Sequence, residues 1–242
     1  MSSLPEFVPG GGATAERLLL RELSHRIDDE LTSVIDLVSK AGDRCDAAEA
    51  RATLASVRGR LEDDARLYHA LQMPGFATSI DLAAYLQQLC RSISRSQLER
   101  EGIALSLLLH PLKMSSERCW LLGMIVFELI DHAARQVSHD GRGAIRLEMW
   151  ATTSSITCCV MDNGSCHASR LRGEDHSIVE TLGARLGATV DVYAGSDGRR
   201  TIVNVPRWSG TSRDRSTSCG CNNIAASSKD DWKRISVRLP VS

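Results

Sequence analysis

The sequence contains few aromatic residues, no excess of charge of either sign and no long hydrophobic run. Aromatic side chains make up 4% of the 242 residues, and the formal net charge is −1. Nucleic-acid interfaces combine basic patches with aromatic stacking platforms, so this composition argues against one. No segment approaches the roughly 18 consecutive apolar residues of a membrane span, and the first residues lack the pattern of a signal peptide. We therefore expect a cytoplasmic protein that binds neither nucleic acid nor membranes.

The eight cysteines are not spaced as metal ligands. Cys158 and Cys159 are adjacent in an apolar run, while Cys219 and Cys221 are separated by one residue in a polar segment. Structural zinc sites use paired C-x-x-C ligands, and the sequence has none. We interpret most of the cysteines as small apolar residues in a reducing compartment, and we predict no metal site.

Two stretches near the N-terminus have apolar residues every three or four positions, which is the period of an amphipathic helix. Residues 1–12, rich in Gly, Pro and Ser, are expected to be disordered. Residues 13–76 then form an αα-hairpin, with helices over 13–41 and from about 47 to 72, before Pro74 and Gly75. A hairpin with one apolar stripe on each helix cannot bury both stripes alone. Pairing of two hairpins into a four-helix bundle is therefore predicted, which makes the protein a homodimer.

The region 77–206 alternates between helical and strand-like patterns, which predicts helices on one face of a mixed sheet, an α+β sandwich. Ser79 is the predicted N-cap of the first of these helices. In the tail, 207–242, the polar stretch 207–231 is expected to be disordered, whereas 234–241 alternates like a strand. Either that strand or 201–206 closes the sheet. The predicted helices are 81–101, 117–137 and 178–186, and the predicted strands are 103–109, 144–150, 155–161, 190–193 and 201–205.

His25 lies off the apolar stripe of the first helix, so its imidazole is expected to face solvent and to be available as a nucleophile. The plain alternative is a solvated helix face that happens to contain a histidine. The string from Glu22 to Leu31, with Leu23, His25 and Arg26, resembles the phosphoacceptor box E-L-x-H-R-x-x-N-x-L of sensor histidine kinases. The resemblance implies that His25 accepts the phosphoryl group and that Arg26 neutralises its oxygens. Asp29 stands where the family usually has Asn. We interpret Asp28 and Asp29 as solvating charges, and the alternatives are that they tune His25 or contact the receiver.

Residues 80–206 resemble the ATPase domain shared by histidine kinases, gyrase and Hsp90-type chaperones. Glu128 and His132 stand in a motif similar to E-L-x-x-N-A, in which the family's Asn holds Mg²⁺. Asp162 and Gly164 belong to a V-x-D-N-G motif, in which the resemblance implies that the Asp contacts adenine. Gly173 matches the first glycine of the second glycine box. These five residues are the candidate nucleotide site.

Three departures from the family motifs predict that this nucleotide site is degenerate. His132 replaces the Asn, and an imidazole nitrogen is a poor substitute for an oxygen ligand of Mg²⁺. Cys166 and Asp175 replace glycines, and Glu174 and Asp175 bring carboxylates to a segment whose bare N–H groups should meet phosphate. A like-charge contact at about 4 Å costs on the order of 1–4 kcal/mol. No cofactor is therefore expected.

Three functions remain open. In the first, the chain is a histidine phosphotransferase that passes a phosphoryl group between His25 and receiver aspartates of response regulators, with a hybrid kinase possible upstream. The damaged nucleotide motifs favour this function, as does the expectation that no sensory domain precedes the first helix. In the second, the chain is an autophosphorylating kinase that uses ATP and Mg²⁺, since Glu128 and Asp162 are retained. In the third, it is a non-catalytic protein that binds receivers or kinases.

Overall fold

The computed structural model describes residues 11–72, 79–137, 143–164, 174–195, 198–207 and 233–235. The chain divides into two compact units, Met1–Gln72 and Met73–Ser242. The predicted disorder of 1–10 and 208–231 falls outside the described residues, as do Cys166 and Gly173.

The first unit is the predicted helical hairpin. Helix α1 is Gly11–Asp43 and helix α2 is Ala48–Leu71. Helix α1 begins earlier than expected, because Gly11 and Gly12, assigned to the disordered terminus, lie in its first turn. The Arg51 guanidinium of α2 reaches back into the connection and donates to the Cys45 carbonyl through Nη2 at 2.9 Å and Nε at 3.1 Å. This pair of bonds satisfies a backbone carbonyl of the connection between the two helices.

The hairpin leaves most of its apolar side chains uncovered. Among its described side chains only Leu67 is buried. Five apolar residues of α1 are 40–65% exposed: Leu19, Leu23, Ile27, Val34 and Leu37. At about 100° per residue they fall within about 80° of one another around the helix. They form one exposed apolar stripe, the α1 stripe.

The second unit begins with strand β1 (Ile80–Asp81) and helix α3 (Leu82–Ile93). The predicted N-cap, Ser79, is wrong: the Asp81 carboxylate accepts from the backbone N–H groups of Ala83 and Ala84 at 2.9 and 3.1 Å. This is the arrangement that satisfies the free donors of a first turn. The predicted single helix 81–101 is also interrupted, since Ser94–Leu98 is π-helical and Glu99–Glu101 is a 3₁₀ turn.

The remaining elements build the predicted α+β architecture. Helix α4 is Ser116–Gln136, and helix α5 is Glu174–Leu186. Helices α3 and α4 contact each other, as do α4 and α5, and each helix also contacts strands of the sheet. Leu86, Ile125, Leu147 and Val203 are fully buried in the core between these layers. The strands are β2 Ala104–Leu109, β3 Lys113–Met114, β4 Ala144–Ala151, β5 Ser155–Asp162, β6 Thr189–Gly195, β7 Gly198–Pro206 and β8 Lys233–Ile235.

The main sheet has six strands in the order β2-β4-β5-β7-β6-β8, and β1 pairs separately with β3. Strands β2 and β4 are parallel, and the other neighbours are antiparallel. The two candidates for the closing strand therefore both join the sheet. Strand β7 is internal and pairs with β5 and β6, whereas 233–235 add an edge strand next to β6. The antiparallel register places Asp162 opposite Arg199, which brings the end of β5 to the start of β7.

Candidate functional site

His25 lies in α1 with its side chain exposed. At about 100° per residue it projects at least about 120° away from every member of the α1 stripe. A partner that covered the stripe would therefore leave the imidazole open to solvent. This placement agrees with the expectation drawn from the helical period.

Arg26, next to His25, is held along the helix surface. Its Nε lies 3.1 Å from Glu22 Oε1, and the side chains are 74% and 60% exposed. An ion pair between such exposed partners four residues apart contributes at most about 1 kcal/mol. The guanidinium can therefore leave Glu22 at little cost.

Asp28, one turn after His25, does not have the solvating role expected of it. Its side chain is only 19% exposed and points to α2. Oδ2 accepts from Gln72 Nε2 at 2.9 Å, and Oδ1 lies 3.6 Å from His69 Nε2. The sequence pattern did not reveal this contact, because Gln72 is 44 residues away along the chain.

In the second unit, His132 of α4 is buried against Arg199 of β7. Arg199 Nη1 lies 3.1 Å from His132 Nδ1 and 3.3 Å from Nε2. A guanidinium only donates hydrogen bonds, so the ring nitrogen that takes this bond is unprotonated and acts as the acceptor. His132 and Arg199 are 7% and 8% exposed. The imidazole is therefore engaged within the protein.

Asp162, at the end of β5, completes this arrangement. Its Oδ1 accepts from the Gly164 backbone N–H at 3.0 Å, and the Arg199 backbone N–H donates to the same carboxylate. Burial raises the pKa of the Asp162 carboxyl above its ordinary value, and the two N–H donors and the Arg199 charge offset part of that rise. Asp162, His132 and Arg199 together are the buried polar cluster.

Two glycines let the backbone close around this cluster. A Cβ on Gly164 would lie 2.7 Å from the Gln136 carbonyl oxygen at the end of α4. Gly198 has φ +129°, and its Cβ would lie 1.8 Å from the Asp162 carbonyl oxygen. Backbone atoms cannot move aside as a flexible side chain would, so both positions require glycine. Asn163 of the same turn accepts from the Ala144 N–H at 2.8 Å, which fixes the start of β4.

The structure brings together three of the candidate nucleotide-site residues, namely His132, Asp162 and Gly164. Glu128 lies one turn before His132 on α4 and is half-buried, while Gly173 falls outside the described residues. Sequence reasoning missed Arg199, which is 67 residues from His132 in the chain. The predicted strand 201–205 begins two residues after Arg199, so the sequence pattern did not place this residue in the sheet.

The donor set does not fit a magnesium–triphosphate group. His132 offers nitrogen where a hard cation needs oxygen, and that nitrogen faces the Arg199 guanidinium. Among the described residues, no group of three or more His, Cys, Asp and Glu side chains is placed to hold a metal ion.

Burial raises the pKa of the Cys90 and Cys159 thiols to about 12 and of Cys119 to about 11, which suits inert core residues.

Within the part of the chain that the structure describes, no helix has the length and apolar character to cross a membrane.

Comparison with known proteins gives a family match for part of the chain and a fold. A family model described as Histidine kinase matches residues 22–97. No curated protein matches the chain. The chain is similar in structure to the histidine kinase domain of a blue-light activated histidine kinase from Erythrobacter litoralis, with 18% identity, a TM-score of 0.50, and 74% of this chain and 94% of that chain covered.

A second structural neighbour is a bacterial phosphotransferase, with 11% identity and a TM-score of 0.53. The similarity covers 83% of this chain and 100% of that one. At sequence identities this low, the similarity is evidence about the fold alone. The matched segment, 22–97, contains His25, most of the hairpin and helix α3, and the similarity in fold extends further through the second unit. Residues 22–97 therefore match a histidine kinase family model, and the fold of the chain is similar to that of a histidine kinase domain.

Proposed function

We propose that this chain is a phosphorelay protein that carries a phosphoryl group on His25 and exchanges it with receiver aspartates of response regulators. The observation that carries the proposal is the bond between Arg199 and His132 in the buried polar cluster. The position that resembles the family's magnesium ligand is engaged by a cation of the chain itself. His25 meanwhile is exposed on the other unit.

The chemistry demands little of this chain beyond presentation. An unprotonated nitrogen of His25 attacks the phosphorus of an aspartyl phosphate, a P–N bond forms, and the P–O bond to the aspartate breaks. Such transfers depend mainly on in-line positioning and on neutralising the phosphoryl oxygens. The receiver supplies Mg²⁺ from its own acidic pocket, and Arg26, the residue after His25, supplies a cation on this chain's side.

The hairpin in this proposal is half of a homodimeric four-helix bundle. The α1 stripe supports the dimer, because five exposed apolar side chains on one helix face are a surface that a second copy can cover. The second unit then serves as a docking surface for receivers rather than as an ATPase. The protein would work in the cytoplasm and accept its phosphoryl group from a hybrid kinase through a receiver.

An autophosphorylating kinase is the second candidate. The match of residues 22–97 to a histidine kinase model favours it. Asp162 also keeps its carboxylate at the end of β5, where the resemblance implies a contact with adenine. That reading needs ATP and Mg²⁺ bound near a histidine already engaged by Arg199, so we rank it below phosphotransfer.

Labelling of His25 separates these functions. The full chain is incubated with radiolabelled ATP and Mg²⁺, and separately with a panel of receiver domains labelled on their aspartates. We expect label from a receiver and none from ATP, with no label on the His25→Ala variant. His110→Ala, at an exposed histidine of the second unit, is the matched control and should label like wild type. Label from ATP on His25 would establish the kinase instead, and no label from either donor would leave a non-catalytic binding protein.

A further inference from the structure

We propose that Asp28 is a positioning residue for the phosphoacceptor: it ties the turn of α1 that carries His25 to the end of α2. The proposal rests on the function proposed above, since it assigns Asp28 a role in presenting phosphorylated His25 to a receiver. Asp28 follows His25 by three residues, about 4.5 Å along the helix axis, so movement of one moves the other.

The contact is formed by the residue at which α2 ends. Gln72 leaves the helix with extended backbone angles, φ −69° and ψ 145°, and its backbone N–H bonds the His69 carbonyl at 3.2 Å. Its side chain reaches across the hairpin to Asp28 Oδ2 at 2.9 Å. One residue therefore both terminates α2 and holds its last turn against the phosphoacceptor segment.

The environment of Asp28 favours a fixed geometry. Its Oδ1 is shielded from solvent and has no hydrogen-bond donor within the described part of the chain. His69 Nε2 lies 3.6 Å from this oxygen, which is longer than a normal hydrogen bond. The Arg66 guanidinium, one turn earlier on α2, is engaged by Asp63 at 2.7 Å and by Glu62 at 3.5 Å. If the Asp28 side chain moves, its carboxylate loses the hydrogen bond from Gln72 and has few other donors to replace it. Moving therefore costs this half-shielded carboxylate more free energy than it would cost an exposed one.

Positioning matters here because phosphoryl transfer between two proteins requires in-line approach, and a displacement of about 1 Å can cost on the order of 100-fold in rate. A small phosphodonor has no such constraint, since it can approach an exposed imidazole from many directions. A positioning role for Asp28 therefore predicts different effects on the two donors. A general loss of structure predicts the same effect on both.

The test compares Asp28→Ala, Asp28→Asn and a control, Asp36→Ala, in the full chain. Asp36 is an exposed aspartate of the same helix. Three quantities are measured: the rate of His25 labelling by phosphoramidate, the rate of phosphoryl exchange with the receiver that labels wild type, and amide hydrogen exchange in residues 66–71. Asp28→Ala should slow receiver exchange about 10-fold, leave phosphoramidate labelling within about two-fold of wild type, and speed amide exchange. Asp28→Asn, whose amide oxygen can still accept from Gln72, should be intermediate.

Each outcome decides the proposal. Equal receiver rates in Asp28→Ala and wild type would refute the positioning role and leave the proposed function intact. An equal loss with both donors would also refute it, because that is the behaviour of a damaged fold. A wild-type chain that takes label from phosphoramidate but exchanges with no receiver would overturn the proposed function, and the positioning role with it. A similar defect in Asp36→Ala would assign the effect to lost negative charge rather than to the contact.

Discussion

At the residue scale, Asp162 combines burial with a nearby cation, and the balance between these two effects gives its stability contribution a definite sign. Burial penalises the carboxylate, while the Gly164 and Arg199 N–H groups and the Arg199 charge favour it. The net pKa stays raised, so burial is the larger effect. The folded protein consequently binds a proton at this site more tightly than the unfolded chain does.

Asp162→Asn should therefore stabilise the second unit relative to wild type by an amount that grows with pH. Between about 3.9, the ordinary value for Asp, and the raised pKa, the folded state binds more protons than the unfolded state. The stabilisation that protonated Asp162 gives to the folded state is present at low pH and is lost as the pH rises through the raised pKa. Asn cannot ionise, so the variant does not lose stability in this way. Urea unfolding from about pH 4 to about pH 8 should show a difference that rises with pH and then levels off.

Tryptophan fluorescence is the appropriate signal for this experiment, because all four tryptophans lie in the second unit. The amide of Asn keeps an oxygen for the Gly164 N–H, so the turn itself is preserved. Glu101→Gln, at an exposed carboxyl of the same unit, controls for the removal of one negative charge. A difference that stays constant or shrinks as the pH rises would contradict the prediction.

Individual site residues were predictable from sequence only where local pattern determines their environment. His25 could be placed on an exposed face because helical period alone separates it from the apolar stripe. Gly164 could be placed in a tight turn because it follows Asp162 and Asn163. Arg199 could not be found in this way, since its bond to His132 depends on how α4 packs against the sheet.

At the element scale, the α1 stripe is the feature that a single copy leaves unexplained. Helices α1 and α2 bury little of their described apolar surface against each other, and isolated hairpins of this kind are stabilised by further helix packing. The stripe and His25 occupy opposite sides of α1. The two faces can therefore be tested independently.

Replacing Leu23 and Ile27 with Asp should convert a homodimer into a monomer. Charges in the middle of a packed interface cost far more than they do on an exposed helix, because they would be buried without partners. Sedimentation equilibrium of the full chain at micromolar concentration measures the change. His25→Ala, on the opposite face, should remain dimeric. A double variant that sediments with the wild-type mass would show that this stripe is not the dimer interface.

Element boundaries show where sequence patterns stop being informative. The long amphipathic helices and most strands follow from period and from turn residues, and helix α4 begins and ends within a residue of its prediction. The sequence pattern does not predict the break in the helix at Ser94–Leu98, because a π-helical turn depends on what packs around it. Strands β1 and β3 have two residues each, too few for any alternation to be visible.

At the scale of the whole molecule, the two units combine an exposed candidate phosphoacceptor with a second unit whose polar residues bond one another. The α+β class was predictable because helical and strand-like patterns alternate along the chain, and this order determines which elements form the sheet and which pack on it. The state of the nucleotide site was predictable only in part. Sequence motifs predict a degenerate site, and they could not indicate that Arg199 would engage His132.

The same cluster predicts that ATP with Mg²⁺ does not stabilise this protein. A ligand present at about 100 times its dissociation constant stabilises the folded state by about 2.7 kcal/mol, which would raise the Tm of a unit of this size by roughly 5–10 °C. Binding would first have to break the contact between Arg199 and His132. Thermal unfolding followed by tryptophan fluorescence should give the same Tm with Mg²⁺ alone and with millimolar ATP and Mg²⁺. A rise of several degrees that saturates with ATP would show a working nucleotide site and would move the kinase function ahead of phosphotransfer.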